Sequence, residues 1–327
     1  MHMKIAIIGA GLSGATAAQA LHTQGHDVAV FDKGRGVGGR MSSRRTAAGA
    51  IDHGAQYFTA QSQPFHDCVA QWVQAGWAQV WSSPVVSGEG AERRLSESVT
   101  RYIGTPQMSS PIKGLLQGLQ VHVGHAVTQV ERQEQQWWLR VSEQGAALGP
   151  FDAVIASVPL PQLHALFNEL PQAWLSAWQQ IEMTPCWAVM MDWAQGAPDN
   201  FGGWFVNDPF VDWIANNHRK PGRITHAHWT LHATESWSEQ HVDATPEFVM
   251  AQTRMWLSQR GWSQQPPEMS AHRWRYARSR GASQQPSHWS ADLGLGVVGD
   301  WLGGGRVEGA WQSAQHLLSA MGVNHEQ

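Results

Sequence analysis

The sequence predicts an α/β fold in which a parallel-sheet domain, assembled from both ends of the chain, is interleaved with a mixed-sheet domain supplied by the middle. Three observations predict it. Near the N-terminus a strand, a glycine turn, a helix, a second strand and an acid follow without interruption. Near the C-terminus a short apolar strand ends at an acid and leads through a glycine loop into a helix. Between them, short apolar runs alternate with helical patterns. The implied bounds are 1–60, 98–160 and 291–327 for the first domain, and 61–97 with 161–290 for the second.

Ile5-Ala6-Ile7-Ile8 is too short for a helix and is bounded by glycine, so it reads as a buried parallel strand. Gly9-Ala10-Gly11-Leu12-Ser13-Gly14 follows, then a helix-forming run from Ala15 to Gln24 closed by Gly25. Val28-Ala29-Val30-Phe31 is the second strand and ends at Asp32. This is the order of a dinucleotide fingerprint. Gly9 permits the tight turn, Gly11 leaves room for a pyrophosphate, and Gly14 lets helix and strand pack closely. The N–H groups opening the helix, around Leu12 and Ser13, favour phosphate. Asp32 is placed to accept from ribose hydroxyls. Lys33 begins a second glycine segment that ends in Gly38-Gly39-Arg40.

Asp52-His53-Gly54-Ala55-Gln56-Tyr57-Phe58 comes next, and a helix is expected from Pro64 to Ala75. Trp77–Trp81 reads as a strand and Pro84–Arg94 as a polar loop. Ser110-Pro111 starts a helix through Leu119. Strands follow at Val121–Val123, Ala126–Glu131, Gln136–Ser142 and Phe151–Ala156. In the second domain, helices at Gln162–Phe167 and Gln172–Ile181 precede strands at Cys186–Met191, Trp204–Val206, Val211–Ala215 and Ile224–Ala233. A helix from Thr245-Pro246 to about Gln259 and a strand at His272–Ala277 complete it. On the Ile224–Ala233 strand His226, His228 and His232 share one face. A sheet floor facing a bound ring would make them cavity residues, structural histidine is the favoured reading, and a metal site is the least favoured.

Composition narrows the function. A net charge of −4 and a pI near 6.5 argue against nucleic-acid polymers and anionic membrane surfaces. No apolar run approaches the roughly 20 residues needed to span a bilayer, and the first strand leaves no room for a signal peptide, so a cytoplasmic protein is expected. Cys68 and Cys186 sit apart in apolar runs and read as buried free thiols. Among the 19 tryptophans most must be core, with some available to wall a cavity for a planar ligand.

The C-terminal string Gly294-Leu295-Gly296-Val297-Val298-Gly299 matches GxGxxG by letter only. Its glycines flank a strand, so no phosphate loop forms. The strand ends at Asp300. Gly303-Gly304-Gly305 and Arg306-Val307-Glu308-Gly309-Ala310 then open a last helix through Ala320.

Residues 4–58 and 293–318 resemble the flavin amine oxidase superfamily, and with Trp213–Asn217, Lys220–Arg223 and Leu231–Ala233 most specifically its bacterial renalases. The resemblance implies a Rossmann-like FAD-binding domain interleaved with a mixed-sheet substrate domain. It implies FAD contacts at Gly9, Gly11, Leu12, Ser13, Gly14, Asp32, Lys33, Gly39 and Arg40. Gln56, Tyr57, Val127, Asp300, Val307 and Glu308 complete that set. It implies substrate contacts at Tyr57, Phe58, Thr59, Ala60, Ser96, Ser98, Thr184 and Arg306. No cysteine near the C-terminus matches the family's attachment site, so FAD is expected to be non-covalent. No lysine falls in the substrate-domain strands, and Lys220 sits in a Pro-Gly turn, which weakens an amine oxidase assignment.

The implied reaction is oxidation of 2- and 6-dihydro isomers of NAD(P), with hydride passing to flavin N5 and then electrons to O2 to give H2O2. Re-aromatisation drives it, so no general base is chemically obligatory. The chemistry is carried by flavin N5 with no catalytic side chain assigned, and no metal is expected. Three alternatives stand beside it. One is a flavin amine oxidase or desaturase. Another is a non-catalytic FAD-binding protein. The third, a non-flavin NAD dehydrogenase, is disfavoured by Gly38-Gly39-Arg40 and Asp300.

Overall fold

Lys4–Ile8 becomes an inner strand of a six-stranded sheet in a computed structural model describing residues 2–46, 49–88, 93–96, 98–142, 147–193, 201–223, 227–262 and 267–323. Asp27–Asp32 and Ala153–Ala156 flank it in parallel, with Ile5 level with Val28 and Ala153. Gln120–Val123 lies beyond one neighbour and Leu295–Val298 beyond the other. Ser287–Ser290 closes an edge antiparallel. Both chain ends therefore share one sheet. The helices Leu12–Thr23 and Arg306–Ala320 pack together, and the Ser13 hydroxyl donates to the Ala310 carbonyl at 2.8 Å. Small buried residues, Ala15, Ala17 and Ala18, permit the close approach of the first helix to its surroundings.

The middle of the chain builds a seven-stranded sheet around Glu182–Trp193, which pairs with Glu268–Arg280 on one side and Ala227–Ala233 on the other. A third sheet is a meander of Val127–Gln133, Gln136–Val141 and Leu148–Phe151. Trp187, Trp193, Trp204, Trp229 and Trp256 join one apolar cluster beside the seven-stranded sheet. Each buried indole removes 150–250 Å² from water, worth roughly 4–6 kcal/mol before ordering costs. That is ample reason for tryptophan there without a ligand. No helix among the described residues is long and apolar enough to cross a membrane.

Several expectations need correction. Pro84–Arg94 is not simply loop: Val85–Ser87 pairs in parallel with Gly203–Phe205 and antiparallel with Arg94–Leu95. Neighbouring strands satisfy a backbone whose own sequence shows little periodicity. Phe151–Ala156 is divided between two sheets at Asp152, whose carboxylate accepts from the Lys4 amide at 2.7 Å. The helix from Ser110 ends at Leu115, before Gly118 takes φ 83°. The Cys186 strand is longer than its apolar run because Glu182–Thr184 pairs with Arg278–Arg280.

Candidate functional site

A cleft of ≈ 1710 Å³ is lined by residues of both large sheets. That exceeds the roughly 300–1,000 Å³ of an ordinary small-molecule site, leaving room for a dinucleotide and a second ligand.

At one end Gly9, Gly11, Leu12, Ser13, Asp32 and Lys33 line the cleft. A Cβ on Gly9 would strike the Ser157 carbonyl and one on Gly14 the Gly9 carbonyl, so both glycines are needed for the turn itself. A Cβ on Gly11 would meet nothing within 4 Å. It would instead project into open space beside the helix start. The first amides of Leu12–Thr23 lack intrahelical acceptors there. Asp32 accepts from the Ala10 amide at 2.7 Å and the Gly34 amide at 2.6 Å, fixing its carboxylate at the cleft edge. Val127 lines the same end.

Gly39 packs against Gly11, and Arg40 reaches across to the C-terminal element. Its guanidinium pairs with both carboxylate oxygens of Asp300, one contact being Nη1 to Oδ2 at 2.9 Å. The motifs 260 residues apart thus meet in one place. Val307 and Arg306 open the helix beside them, Arg306 with φ 72°, and both line the cleft. A glycine turn with an open cradle, a helix start and a paired arginine suit a bound dinucleotide diphosphate, so these residues fit FAD.

The other end is walled by His53, Gln56, Tyr57, His232, His272 and Trp274, with Trp213 and Cys186 nearby. His232 Nε2 lies 3.2 Å from the His53 carbonyl, and the Trp274 indole donates to that same oxygen at 2.9 Å. Burial, followed by the charges of His272 and Arg44, lowers His53 to about 4. Burial, followed by Arg278, does the same to His232. Both imidazoles are neutral at pH 7. His228, by contrast, lies 3.2 Å from the Asp192 carboxylate, and His226 falls outside the described residues.

Beneath this end lies a buried charge network that the sequence reading missed. The Lys220 ammonium, fully buried, donates to Asp52 Oδ2 at 3.0 Å, Gln56 Oε1 at 2.9 Å and Asn217 Oδ1 at 3.1 Å. Arg223 donates to the same Asp52 oxygen at 2.7 Å. Ser43 donates to the other at 2.6 Å. Gln56 in turn donates to the Asp52 and Gly54 carbonyls, so the network sets the loop that walls the cleft. Burial alone would raise the Asp52 carboxyl, but Lys220 and Arg223 outweigh it and hold it at about 2. Desolvation lowers Lys220 to about 8 despite Asp52. Lys220 does occupy a turn, as its Pro-Gly neighbours indicate, but its side chain points inward. The available signal was the run Asn216-Asn217 ending an apolar strand just before Lys220-Pro221-Gly222-Arg223.

Other expected residues are not part of the cleft wall. Glu308 faces the neighbouring helix, accepting from the Gln61 amide at 2.7 Å and the Ser62 amide at 2.8 Å. It ties down the Gln61 and Ser62 amides that lead into the helix Gln63–Gln74. Phe58 is core, packed among Phe65, Trp72 and Tyr102. Thr59 and Ala60 follow it outside the cleft, Ser96 accepts from Arg101 at 3.0 Å, and Ser98 is exposed. Thr184 is fully buried in its strand. For Thr184 and Glu308 the strand or helix phase turns the side chain inward, and Phe58 is held inward where its backbone bridges to Tyr102.

The charge of the cleft is uneven. Ten of the chain's 22 lysines and arginines line it, against three of its 26 acids. Arg278 pairs with Asp212, and Arg273 and Arg275 share Asp243 behind the wall. Arg44, Arg45 and Lys113 form no ion pair among the described residues.

Two family models match the chain: NAD(P)-binding Rossmann-like domain over residues 7–72, and flavin containing amine oxidoreductase over residues 85–316. A 4,4'-diapophytoene desaturase of Staphylococcus aureus strain Newman is 46% identical over 52 residues, which are 16% of this chain and 10% of that protein's length. The chain therefore matches about a tenth of the length of such curated relatives. Cyclohexylamine oxidase from Brevibacterium oxydans IH-35A shares the fold at TM-score 0.72 and 14% identity, covering 98% of this chain and 99% of that one. An oxidoreductase from Methanosarcina mazei does so at TM-score 0.72 and 14% identity, covering 97% and 100%.

Proposed function

The chain belongs to the flavin-containing amine oxidoreductases, and on that premise we propose that it is an FAD-dependent oxidase of 2- and 6-dihydro-NAD(P) isomers. The observation that carries this reading is the excess of positive charge lining the cleft. One cofactor diphosphate neutralises only part of it. The remainder attracts a second anionic ligand and repels the ammonium form of an amine.

The Gly9–Gly14 turn, Asp32, Gly39, Arg40, Asp300 and Val307 would hold FAD. Bound FAD supplies a two-electron acceptor: hydride leaves the dihydropyridine carbon as the ring aromatises, and both electrons pass on to O2 to release H2O2. The chain's own contribution is positioning. Neutral His53 and His232 leave no strong base or acid at the ring end, consistent with a hydride transfer that needs none. Trp274, Tyr57 and Trp213 provide flat apolar wall that excludes water. The start of the Arg306–Ala320 helix favours negative charge gained by a bound ring.

FAD is held non-covalently in this account. The one cysteine on the cleft wall, Cys186, has its thiol raised to about 11, chiefly by burial, which withholds the thiolate that attachment requires. An amine oxidase is the second reading, favoured by the aromatic group Tyr57, Phe205 and Trp213, whose rings stand 4.5–5.5 Å apart.

Anaerobic mixing separates the two. Dihydro-NAD isomers made by borohydride reduction should bleach the flavin band, and a panel of primary and secondary amines should not. Bleaching by amines alone would transfer the chain to the second reading. Bleaching by neither would leave a non-catalytic flavoprotein.

A further inference from the structure

The strand Ser43–Thr46 presents two consecutive arginines, and both line the cleft. Strand geometry sends Arg44 and Arg45 to opposite sides. Arg44 lies toward His53 and His272, lowering both imidazoles after burial has done so. Arg45 lies toward Lys113 and adds to the effect of burial on that ammonium. Of the seven other basic wall residues, Arg40, Arg273, Arg275 and Arg278 have carboxylate partners, while Lys33, Arg35 and Arg306 belong to the glycine segment and helix start at the cofactor end. Arg44, Arg45 and Lys113 have none among the described residues, and Lys113 bonds only the neutral Gln107 side chain at 2.6 Å. Arg45 and Lys113 are neighbouring cations without a counter-ion and repel each other, a cost that a bound polyanion removes, while Arg44 carries the positive charge on toward His272.

Their position sets them apart from the cofactor cradle. Gly39 rests on Gly11, whereas Arg45 lies beyond the short helix Gly39–Met41, three extended residues past Ser42, or roughly 10 Å of strand.

We propose that Arg44 and Arg45, assisted by Lys113, form the subsite for the phosphate groups of the substrate, making a diphosphate-bearing dinucleotide the preferred substrate class over the bare dihydropyridine. This rests on the function proposed above and adds where the substrate's anionic half is held. A guanidinium fork matches phosphate oxygens, and the cleft continues past Arg44 to His272, Trp274 and the ring end.

The test uses the purified holoenzyme and the variants R44A, R45A and R44A/R45A, with three readouts. Flavin content and visible spectrum report cofactor binding. Calorimetry reports the affinity of ADP-ribose, a phosphate-bearing ligand with no reactive ring. Anaerobic flavin reduction compares dihydro-NAD isomers with the corresponding phosphate-free dihydronicotinamide ribosides. The expected result is full flavin content, ADP-ribose affinity weakened about tenfold or more in each single variant, and a similar fall in the dinucleotide-to-riboside ratio of apparent affinity. Loss of flavin in the variants would assign these arginines to the cofactor and overturn the proposal. So would equal losses for dinucleotide and riboside, or unchanged ADP-ribose binding. If wild type reduces with neither dinucleotide nor riboside, the oxidase reading fails, while the ADP-ribose arm still decides the phosphate subsite.

Discussion

Replacing Asp52 with asparagine and Lys220 with methionine removes opposite partners of one buried network, and the two changes should differ sharply in cost. Asp52 is the carboxylate that serves both Lys220 and Arg223, whose side chains are 0% and 2% exposed. Asparagine leaves two buried cations uncompensated, a loss of about 3–5 kcal/mol, or roughly 4–7 °C in Tm for a chain of this length. Methionine at 220 orphans the Gln56 Oε1 acceptor, at about 1–3 kcal/mol, while Asn217 Oδ1 keeps the Asp52 amide at 3.3 Å. It also relieves the ammonium of a desolvation that takes its pKa from 10.5 to about 8, equivalent to about 3 kcal/mol at neutral pH. Asp52 keeps Arg223 at 2.7 Å. The net change for K220M should lie within about 2 kcal/mol.

The pH dependence carries a second signature. Between about 8 and 10.5 the unfolded chain holds the Lys220 proton more tightly than the folded one, so wild-type stability rises across that window. It is lost again as pH falls through about 8. K220M should lack that rise. Asp52 acts at the other extreme: its contribution is complete above its ordinary 3.8 and disappears as pH falls through about 2. Urea unfolding followed by tryptophan fluorescence across this range measures both effects. Equal destabilisation by D52N and K220M, or the same alkaline rise in K220M as in wild type, would refute the reasoning.

Other outcomes follow from single residues. G11A should fold with unchanged circular dichroism yet be purified without flavin, because its methyl enters the cradle. G14A should lose about 1–3 kcal/mol of stability, because its methyl strikes the Gly9 carbonyl. E308Q should retain flavin and lose about 1–2 kcal/mol, read by thermal unfolding, since Glu308 ties down the amides leading into the Gln63–Gln74 helix. Hydrogen bonds from Ser62 and Gln61 outweigh desolvation and lower the Glu308 pKa. Its contribution is therefore present above the ordinary value of 4.5 and fades as pH falls through the lowered one. Neither thiol should alkylate with iodoacetamide at pH 8 in the folded chain, since burial raises Cys68 to about 12 and Cys186 to about 11. Mass spectrometry of native against denatured samples checks this.

The parts of the fold legible in the sequence are those where neighbours in the chain are also neighbours in space. The Gly9–Gly14 turn between two strands, and the Asp300 strand end before a glycine loop and helix, each declare their geometry within a few residues. That both ends meet, through Arg40 and Asp300, was inferred from the resemblance and is seen as a direct ion pair. What escaped notice is assembled from distant segments. Val85–Ser87 becomes a strand because Gly203–Phe205 and Arg94–Leu95 offer edges to pair with. The Lys220 network draws on residues 43, 52, 56, 217, 220 and 223, and no spacing rule links them. Side-chain direction was the other blind spot. Glu308 lies next to cleft-lining Val307, yet one helical step turns it toward Gln61 and Ser62.

The most direct test of the account is the bimolecular rate at which dihydro-NAD isomers reduce the flavin, measured anaerobically as salt is raised. Reduction should be fast at low salt and slow markedly with added salt, as the attraction between a cationic cleft and a dinucleotide is screened. A flavin that these isomers never bleach, or a rate indifferent to salt, would contradict it.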